Sequence, residues 1–142
     1  MHLIDTNVLI DVVSRESQWG PWSRHALTIS LEAGAAINPI ILAELAARYS
    51  SPVALLKAFP TDVYAHLDLP WDAAFPTGQA FNRYRQAGGQ RHAPLPDFYT
   101  GAHALVANLT LFTRDATRYR TYFPSIQLIE PLTHFRELVP VG

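Results

Sequence analysis

The sequence contains no cysteine, a single lysine and no long apolar run, and each absence excludes a class of protein. Without cysteine there is no disulfide, no thiolate nucleophile and no cysteine-ligated zinc, so a bound metal must be held by oxygen or imidazole. No stretch approaches the roughly 18 uninterrupted apolar residues of a membrane span. The first residues, "MHLID", do not begin a basic segment followed by an apolar one. We therefore expect a cytoplasmic protein without a membrane partner.

The 142 residues, 49% of them hydrophobic, are enough for one domain with a real core, with residues 131–142 expected to be a C-terminal tail. A net charge of −1 gives no general attraction to nucleic acid. The distribution of charge is more informative, because residues 73–129 contain six arginines and only two acids, Asp97 and Asp115. These two acids are either helix caps in a solvated basic stretch or carboxylates with a specific role.

Short apolar segments alternate with helical patterns along the chain. "HLI", "AAIN", "TLFT" and "IQLI" predict strands, and "HLDLP" predicts a short edge strand. Helices are predicted over residues 6–13, 21–33, 39–49, 52–57, 71–87 and 97–109, several of them beginning at a proline. Because the strands lack period-two patterning, the sequence indicates an α/β fold with a parallel sheet covered on both faces.

Four acids are predicted to lie at the same edge of this sheet. Asp5 and Asp115 each follow a strand, Glu44 lies just inside the helix after the second strand, and Asp97 opens a helix. Helices begin at the carboxyl ends of parallel strands, where the ligand crevice of such sheets lies. Converging carboxylates repel one another unless a cation joins them, and oxygen ligands suit Mg²⁺ or Mn²⁺. The pattern therefore favours metal-assisted hydrolysis of phosphodiesters.

Each acid taken singly also has an ordinary structural explanation. Asp5 and Asp97 are good helix caps, Asp115 is a common turn residue, and a lone Glu44 is typically an exposed helix position. Their shared edge favours the functional interpretation. Asp11, further along the first helix, is expected to face solvent.

The stretches "LIDTNVLID", "INPIILAEL", "LPDFYTGAHA" and "LTLFTRDATRY" occur in this order between residue 3 and about residue 120. With them the chain resembles the PIN-domain nucleases, and among these the VapC-like ribonuclease toxins of type II toxin–antitoxin pairs. The resemblance implies a PIN-like three-layer α/β/α sandwich around a mostly parallel sheet of four to five strands. It also implies a Mg²⁺- or Mn²⁺-dependent endoribonuclease that inhibits growth or translation, with Asp5, Glu44, Asp97 and Asp115 as catalytic and metal-binding acids. A homodimer and a cognate VapB-like antitoxin are the implied protein partners.

Further polar residues lie next to these acids in the sequence. Asn7 and Thr113 match positions that support the metal site in the resembled proteins, which implies that they either hold the metal ligands or contact phosphate. Thr6 is given the same two possible roles and is also expected to shape the turn around Asp5. Three arginines are candidates for contacts with RNA phosphates, for which a guanidinium is suited, or are ordinary surface residues: Arg91, Arg114 and Arg118.

Histidine and tryptophan are given structural roles. A metal-activated water removes the need for a histidine base, so His103 is expected to be packed or hydrogen-bonded. Trp19, Trp22 and Trp71 are expected in the core or a subunit interface rather than stacked on bases.

Other functions fit the sequence less well. Phosphatases of the haloacid dehalogenase type usually carry a second aspartate at the position of Asn7, and they and receiver domains need a basic partner that Lys57 is not placed to supply. Serine-hydrolase, P-loop and zincin motifs are absent from the sequence. A PIN-type RNA-processing nuclease that is not a toxin remains an alternative. So does a non-catalytic RNA- or protein-binding PIN module that retains the acids as caps.

Overall fold

The fold is built on a sheet of five parallel strands. A computed structural model of the chain describes residues 1–16 and 18–141. The strand order is β3-β2-β1-β4-β5, with β1 at His2–Ile4, β2 at Ala35–Ile37, β3 at Tyr64–His66, β4 at Thr110–Phe112 and β5 at Leu128–Ile129. The chain runs outward from β1 on one side and returns to the other side through β4. A crevice is therefore expected where the carboxyl ends of β1 and β4 meet.

Within the described residues, seven helices connect these strands: α1 (Thr6–Val13), α2 (Gly20–Ala33), α3 (Pro39–Ala46), α4 (Pro52–Ala58), α5 (Ala74–Gln86), α6 (Pro96–Ala107) and α7 (Thr117–Tyr122). Short 3-10 turns lie at Trp71–Ala73 and Arg136–Leu138. Successive residues of the central strand, such as Leu3 and Ile4, are both fully buried although they point to opposite faces. Both faces of the sheet are thus covered, as the predicted three-layer α/β/α sandwich requires.

Local sequence explains where several helices begin. The Asn38 side chain accepts a hydrogen bond from the Ile41 N–H at 2.9 Å at the start of α3, and Ser51 accepts one from the Ala54 N–H at 3.1 Å at the start of α4. Both caps precede a proline, whose missing N–H needs no partner in the first turn. Pro76 lies in the first turn of α5, so the helix predicted from residue 71 is divided into a 3-10 turn and α5.

Some predicted boundaries are displaced in the structure. The edge strand expected within "HLDLP" lies earlier, at Tyr64–His66, and α7 had no predicted counterpart. The segment after residue 131, expected to be a tail, contacts α2. There the Trp22 indole N–H donates to the His134 carbonyl at 2.8 Å, and the Phe135 ring lies 6.0 Å from that of Trp22.

The three tryptophans have different environments. Trp22 is fully buried, and Trp19 packs edge-on against it with 6.4 Å between ring centroids. Trp71 is 94% exposed, so the expectation of core packing is wrong for this residue within a single chain. Within the part of the chain that is described, no helix is both long and apolar enough to cross a bilayer.

Candidate functional site

Asp5 lies at the carboxyl end of β1 and caps α1. One of its oxygens, Oδ1, accepts a hydrogen bond from the Thr6 N–H at 2.8 Å. The other, Oδ2, accepts from the Thr113 hydroxyl at 2.8 Å and from the Tyr119 hydroxyl at 3.0 Å. Only 5% of Asp5 is exposed. The carboxylate is thus buried and held by three donors that are all neutral.

Asp97 faces Asp5 across the same tyrosine. It lies in the first turn of α6, after Leu95 at the cap position, so the predicted N-cap role is not the one it has. Its Oδ1 is 3.4 Å from the Tyr119 hydroxyl, and its Oδ2 is 3.1 Å from the Arg118 guanidinium.

Tyr119 was not among the residues singled out from the sequence. Its only sequence signal is a tyrosine four residues after Asp115.

Glu44 and Asp115 are more exposed than Asp5. Glu44 is in the last turn of α3 rather than near its beginning, and its Oε1 accepts from the Thr6 hydroxyl at 2.9 Å. The Asp115 N–H donates to the Thr113 hydroxyl oxygen at 3.2 Å. Asp97 and Asp115 line one cavity of about 470 Å³, together with Thr117, Arg118, Thr121 and Tyr122. All four predicted acids are therefore connected through this edge of the sheet.

Asn7 and Thr113 fix the turn after β4 against α1. The Asn7 side chain donates to the Thr113 hydroxyl oxygen at 3.2 Å and accepts from the Arg114 N–H at 3.2 Å. Thr113 is fully buried. The Thr113 hydroxyl donates its own proton to Asp5. The position of this turn therefore also determines the position of the buried carboxylate.

Asp11 is buried, and the expectation that it faces solvent is wrong. It is 1% exposed because α2 packs against α1 on this side. Its two oxygens accept from the Arg114 guanidinium at 2.6 and 3.1 Å, and Oδ2 also accepts from the Ser23 hydroxyl at 2.7 Å. The Arg114 guanidinium also lies 5.7 Å from the Trp19 ring centroid. Arg114, a predicted phosphate contact, is therefore engaged within the protein.

The other two candidate arginines are placed differently. Arg118 lines the cavity beside Asp97 and Asp115. Arg91 is exposed in the loop before α6, where its carbonyl accepts from the Arg85 guanidinium at 2.8 Å. Arg118 is consequently the candidate arginine with a direct contact to a site acid.

His103 has the structural environment expected of it. It is 1% exposed, and burial lowers its pKa. The Asn38 amide donates to its Nδ1 at 3.1 Å, since the oxygen of that amide already accepts from the Ile41 N–H. The ring is therefore neutral, with its proton on Nε2, and helps anchor α6 to the start of α3.

Burial and neighbouring charges change the pKa values of the site residues. Burial, followed by the charge of Asp97, raises the pKa of Asp5 to about 7, although its three hydrogen bonds act in the opposite direction. Burial raises the pKa of Glu44, and the Asp97 charge adds to this effect while the hydrogen bond from Thr6 opposes it. Burial and the charges of Asp5 and Asp97 also raise the pKa of Tyr119 well above its usual value. The site thus carries negative charge that a cation would stabilise.

The donor set suits Mg²⁺ or Mn²⁺. Among residues 1–16 and 18–141, no three Asp, Glu or His side chains are grouped as a complete ligand set. Asp5 and Asp97 nevertheless meet at one hydroxyl group. Mg²⁺ is commonly held by one or two carboxylates together with water and substrate phosphate. In charge and ligand type, this carboxylate pair fits such an ion.

Several solved structures are similar to this chain, among them VapBC and FitAcB chains and a chain of a toxin–antitoxin complex. No protein-family model and no curated protein matches the sequence. A chain of VapBC2 from Rickettsia felis, crystallised with a DNA fragment from the promoter, is 18% identical with a TM-score of 0.68, the match covering 91% of this chain and 97% of that one. For FitAcB from Neisseria gonorrhoeae the identity is 21% and the TM-score 0.68, covering 94% and 99%. For a toxin–antitoxin complex from Klebsiella pneumoniae these values are 23% and 0.62, covering 92% and 98%.

This chain has the PIN-like fold. The predicted resemblance is thereby confirmed for the architecture, including the parallel sheet and its helical layers. In this PIN-like fold Asp5 follows the central strand, and Thr113 follows the neighbouring strand β4. At identities of 16–23% the likeness establishes the fold.

Proposed function

We propose that this protein is a Mg²⁺- or Mn²⁺-dependent endoribonuclease and the toxin of a toxin–antitoxin pair, acting on RNA in the cytoplasm. The observation that carries the proposal is the buried Asp5 carboxylate. It lies at the crevice of the sheet, has a raised pKa, and shares one hydroxyl with Asp97. A carboxylate that is desolvated beside another acid has the properties of a cation ligand. The fold shared with toxin–antitoxin proteins supports the same function.

Each acid has a role that follows from its position. Asp5 and Asp97 would hold the ion, while Glu44 and Asp115 lie at the exposed margin, where a carboxylate can orient a water molecule. The ion, when bound, would activate that water and stabilise charge on the phosphate. Burial keeps bulk water away from Asp5, which strengthens its electrostatic interactions. Thr113 and Asn7 keep the Asp5 carboxylate oriented through hydrogen bonds.

RNA is the proposed substrate, and the arginines nearest the acids are its proposed contacts. Arg118 lines the cavity with Asp97 and Asp115, and we assign its guanidinium a contact with a phosphate next to the one that is cleaved. Arg91 is exposed on the loop that leads into α6. Arg114 is held by Asp11, and we assign it no contact with RNA.

Cleavage of RNA by purified protein tests this proposal. Wild-type protein should cleave a single-stranded RNA in the presence of Mg²⁺ or Mn²⁺ and not in EDTA. Asp5→Asn, which preserves the shape of the side chain, should be inactive. Asp62→Asn is the matched control. This exposed acid lies just before β3, at the amino end of that strand, whereas Asp5 follows the carboxyl end of β1. Equal cleavage by wild type and Asp5→Asn would refute the assignment, and absence of cleavage by either would favour a non-catalytic module.

A VapB-like antitoxin and a second copy of the chain are the proposed protein partners. Support comes from the similar structures, which include DNA-bound VapBC, FitAcB and one described as a toxin–antitoxin complex. A small protein encoded beside this one should co-purify with it and suppress RNA cleavage. If neighbouring reading frames encode no such inhibitor, an RNA-processing nuclease becomes the better interpretation. Light scattering should give twice the chain mass of 15.8 kDa, whereas a mass of one chain would contradict the homodimer.

A further inference from the structure

The Tyr119 hydroxyl is shared by two acids that approach it from different parts of the fold. It lies 3.0 Å from Asp5 Oδ2, at the end of β1, and 3.4 Å from Asp97 Oδ1, in the first turn of α6. We propose that Tyr119 is a positioning residue that sets Asp5 and Asp97 relative to each other, so that both carboxylates can bind the same divalent cation. The inference rests on the proposed function, because it concerns the metal site of that nuclease.

Packing gives Tyr119 little freedom to move. It is 1% exposed, and its carbonyl accepts from the Phe123 N–H at 2.8 Å. The Phe123 ring in turn packs against Gly101 of α6, so closely that a β-carbon at this position would clash with the ring. Helix α7, which carries Tyr119, is thus fixed against the helix that carries Asp97. In a close-packed interior of this kind, a side chain cannot shift without displacing its neighbours, so Tyr119 holds its hydroxyl at a defined position.

A neutral hydroxyl is well suited to this position. A lysine or arginine between the two carboxylates would neutralise them and occupy the place of the cation. The tyrosine hydroxyl has one proton, which the two carboxylates share, with the shorter contact to Asp5 and the longer one to Asp97. The hydroxyl therefore holds the two acids near each other without adding a positive charge between them. This arrangement retains the attraction for a cation that burial of the site has strengthened.

The hydroxyl contributes to each acid in a way that another contact does not replace. Among the residues that the structure describes, only the Thr113 hydroxyl would remain as a donor to Oδ2 of Asp5 if the tyrosine oxygen were removed. Asp97 would retain Arg118 on its other oxygen, but that ion pair is partly exposed, with side chains 44% and 33% accessible. An exposed pair of this kind fixes geometry weakly. Loss of the hydroxyl should therefore loosen the two acids relative to each other without removing either.

Metal binding by Tyr119→Phe tests the proposal. Mn²⁺ titrations by calorimetry on the full chain should show roughly tenfold weaker binding than wild type, as for other groups that orient metal ligands. RNA cleavage should fall at low Mn²⁺ and recover at saturating Mn²⁺. Tyr64→Phe is the matched control, since this buried tyrosine lies in β3, two strands away from β1, and its Mn²⁺ affinity should be unchanged. Thermal unfolding checks that both variants are folded.

The Mn²⁺ titrations test the positioning role of Tyr119 independently of whether the protein is a nuclease. Weaker Mn²⁺ binding by Tyr119→Phe supports the positioning role even if neither protein cleaves RNA, and in that case only the nuclease assignment fails. Equal Mn²⁺ affinity in wild type and Tyr119→Phe overturns the positioning role, whether or not RNA is cleaved. Wild-type protein that binds no Mn²⁺ also overturns it. Should Tyr119→Phe fail to fold, Tyr119→Leu provides a smaller apolar side chain without a hydroxyl for the same titration, with the same expected loss.

Discussion

Asp5 is a buried carboxyl group whose three hydrogen-bond donors, within the described part of the chain, are all neutral. Burial raises its pKa to about 7, and the nearby charge of Asp97 contributes to the same shift. Hydrogen bonds from hydroxyl and amide groups reduce this effect without cancelling it. Ionisation of a carboxyl group in this environment is unfavourable unless a cation is bound beside it. The residue therefore links protein stability to both pH and metal.

The stability of the metal-free protein should reflect this shift in pKa. The pKa of Asp5 rises from 3.8 to about 7 on folding, so between these values the folded state retains a proton that the unfolded state has lost. Stability is then highest below the unfolded pKa and falls as the pH rises towards 7. Relative to Asp5→Asn, wild type should lose roughly 4 kcal/mol of unfolding free energy between pH 4 and pH 8.

Urea unfolding in EDTA measures this difference at each pH. The comparison of Asp5→Asn with wild type removes the contribution of other titrating groups. Asp62→Asn, which alters an exposed acid, should show no comparable change with pH. A constant difference between wild type and Asp5→Asn across this range would mean that Asp5 is not desolvated as described.

Asp11 provides a second prediction for a single residue. Its buried carboxylate holds the Arg114 guanidinium through two hydrogen bonds and also accepts from Ser23. Asp11→Ala leaves these donors without their partner, and removing one member of a buried pair typically costs about 3 kcal/mol. Chemical denaturation should show this loss, while Asp62→Ala at an exposed site should change stability by less than about 0.5 kcal/mol. Equal stabilities of the two variants would contradict the buried pair.

The contact between α6 and α7 determines how the site is assembled from its elements. Gly101 is buried in α6, and the Phe123 ring lies where a β-carbon on this residue would be. The absence of a side chain at Gly101 thus permits the Phe123 ring to pack directly against α6. The close approach brings Tyr119 of α7 to Asp97 of α6.

Alanine substitutions at two helical glycines test this packing. Gly101→Ala should destabilise the protein by about 1–2 kcal/mol, because overpacking against the buried Phe123 ring outweighs the higher helix propensity of alanine. Gly78→Ala in α5 is the control, since among the described residues no atom other than those of its chain neighbours and the adjoining backbone of α5 lies within 4 Å of the place that a β-carbon would take. It should stabilise by up to about 1 kcal/mol. Thermal unfolding distinguishes these outcomes, and stabilisation by both substitutions would contradict the close contact.

Element boundaries were predictable where the sequence carries a local signal. Pro39 and Pro52 follow capping side chains and mark helix starts correctly. Helix α7 has six residues and begins after Ala116, which makes no side-chain cap, so nothing local marks its start. The burial of Asp11 also had no local signal, because α2 and the turn after β4 supply its partners.

The whole molecule brings the acids together through its topology. Parallel strands place their carboxyl ends at one edge, so the positions of Asp5 and Asp115 near that edge follow from the sequence pattern. The role of Tyr119 did not follow, because its contact with Asp5 joins residues 114 positions apart and depends on how α7 packs. Local patterns thus identified the acids, whereas tertiary packing determined what holds them in place.

The most direct test of the central claim is the initial rate of RNA cleavage as Mn²⁺ is restored to metal-free protein. Wild type should be inactive without metal and should show a rate that rises to saturation. Asp5→Asn should be slower by at least about a hundredfold at every Mn²⁺ concentration, whereas Asp62→Asn should follow wild type. Cleavage that is independent of metal, or an Asp5→Asn rate equal to that of wild type, would contradict the account.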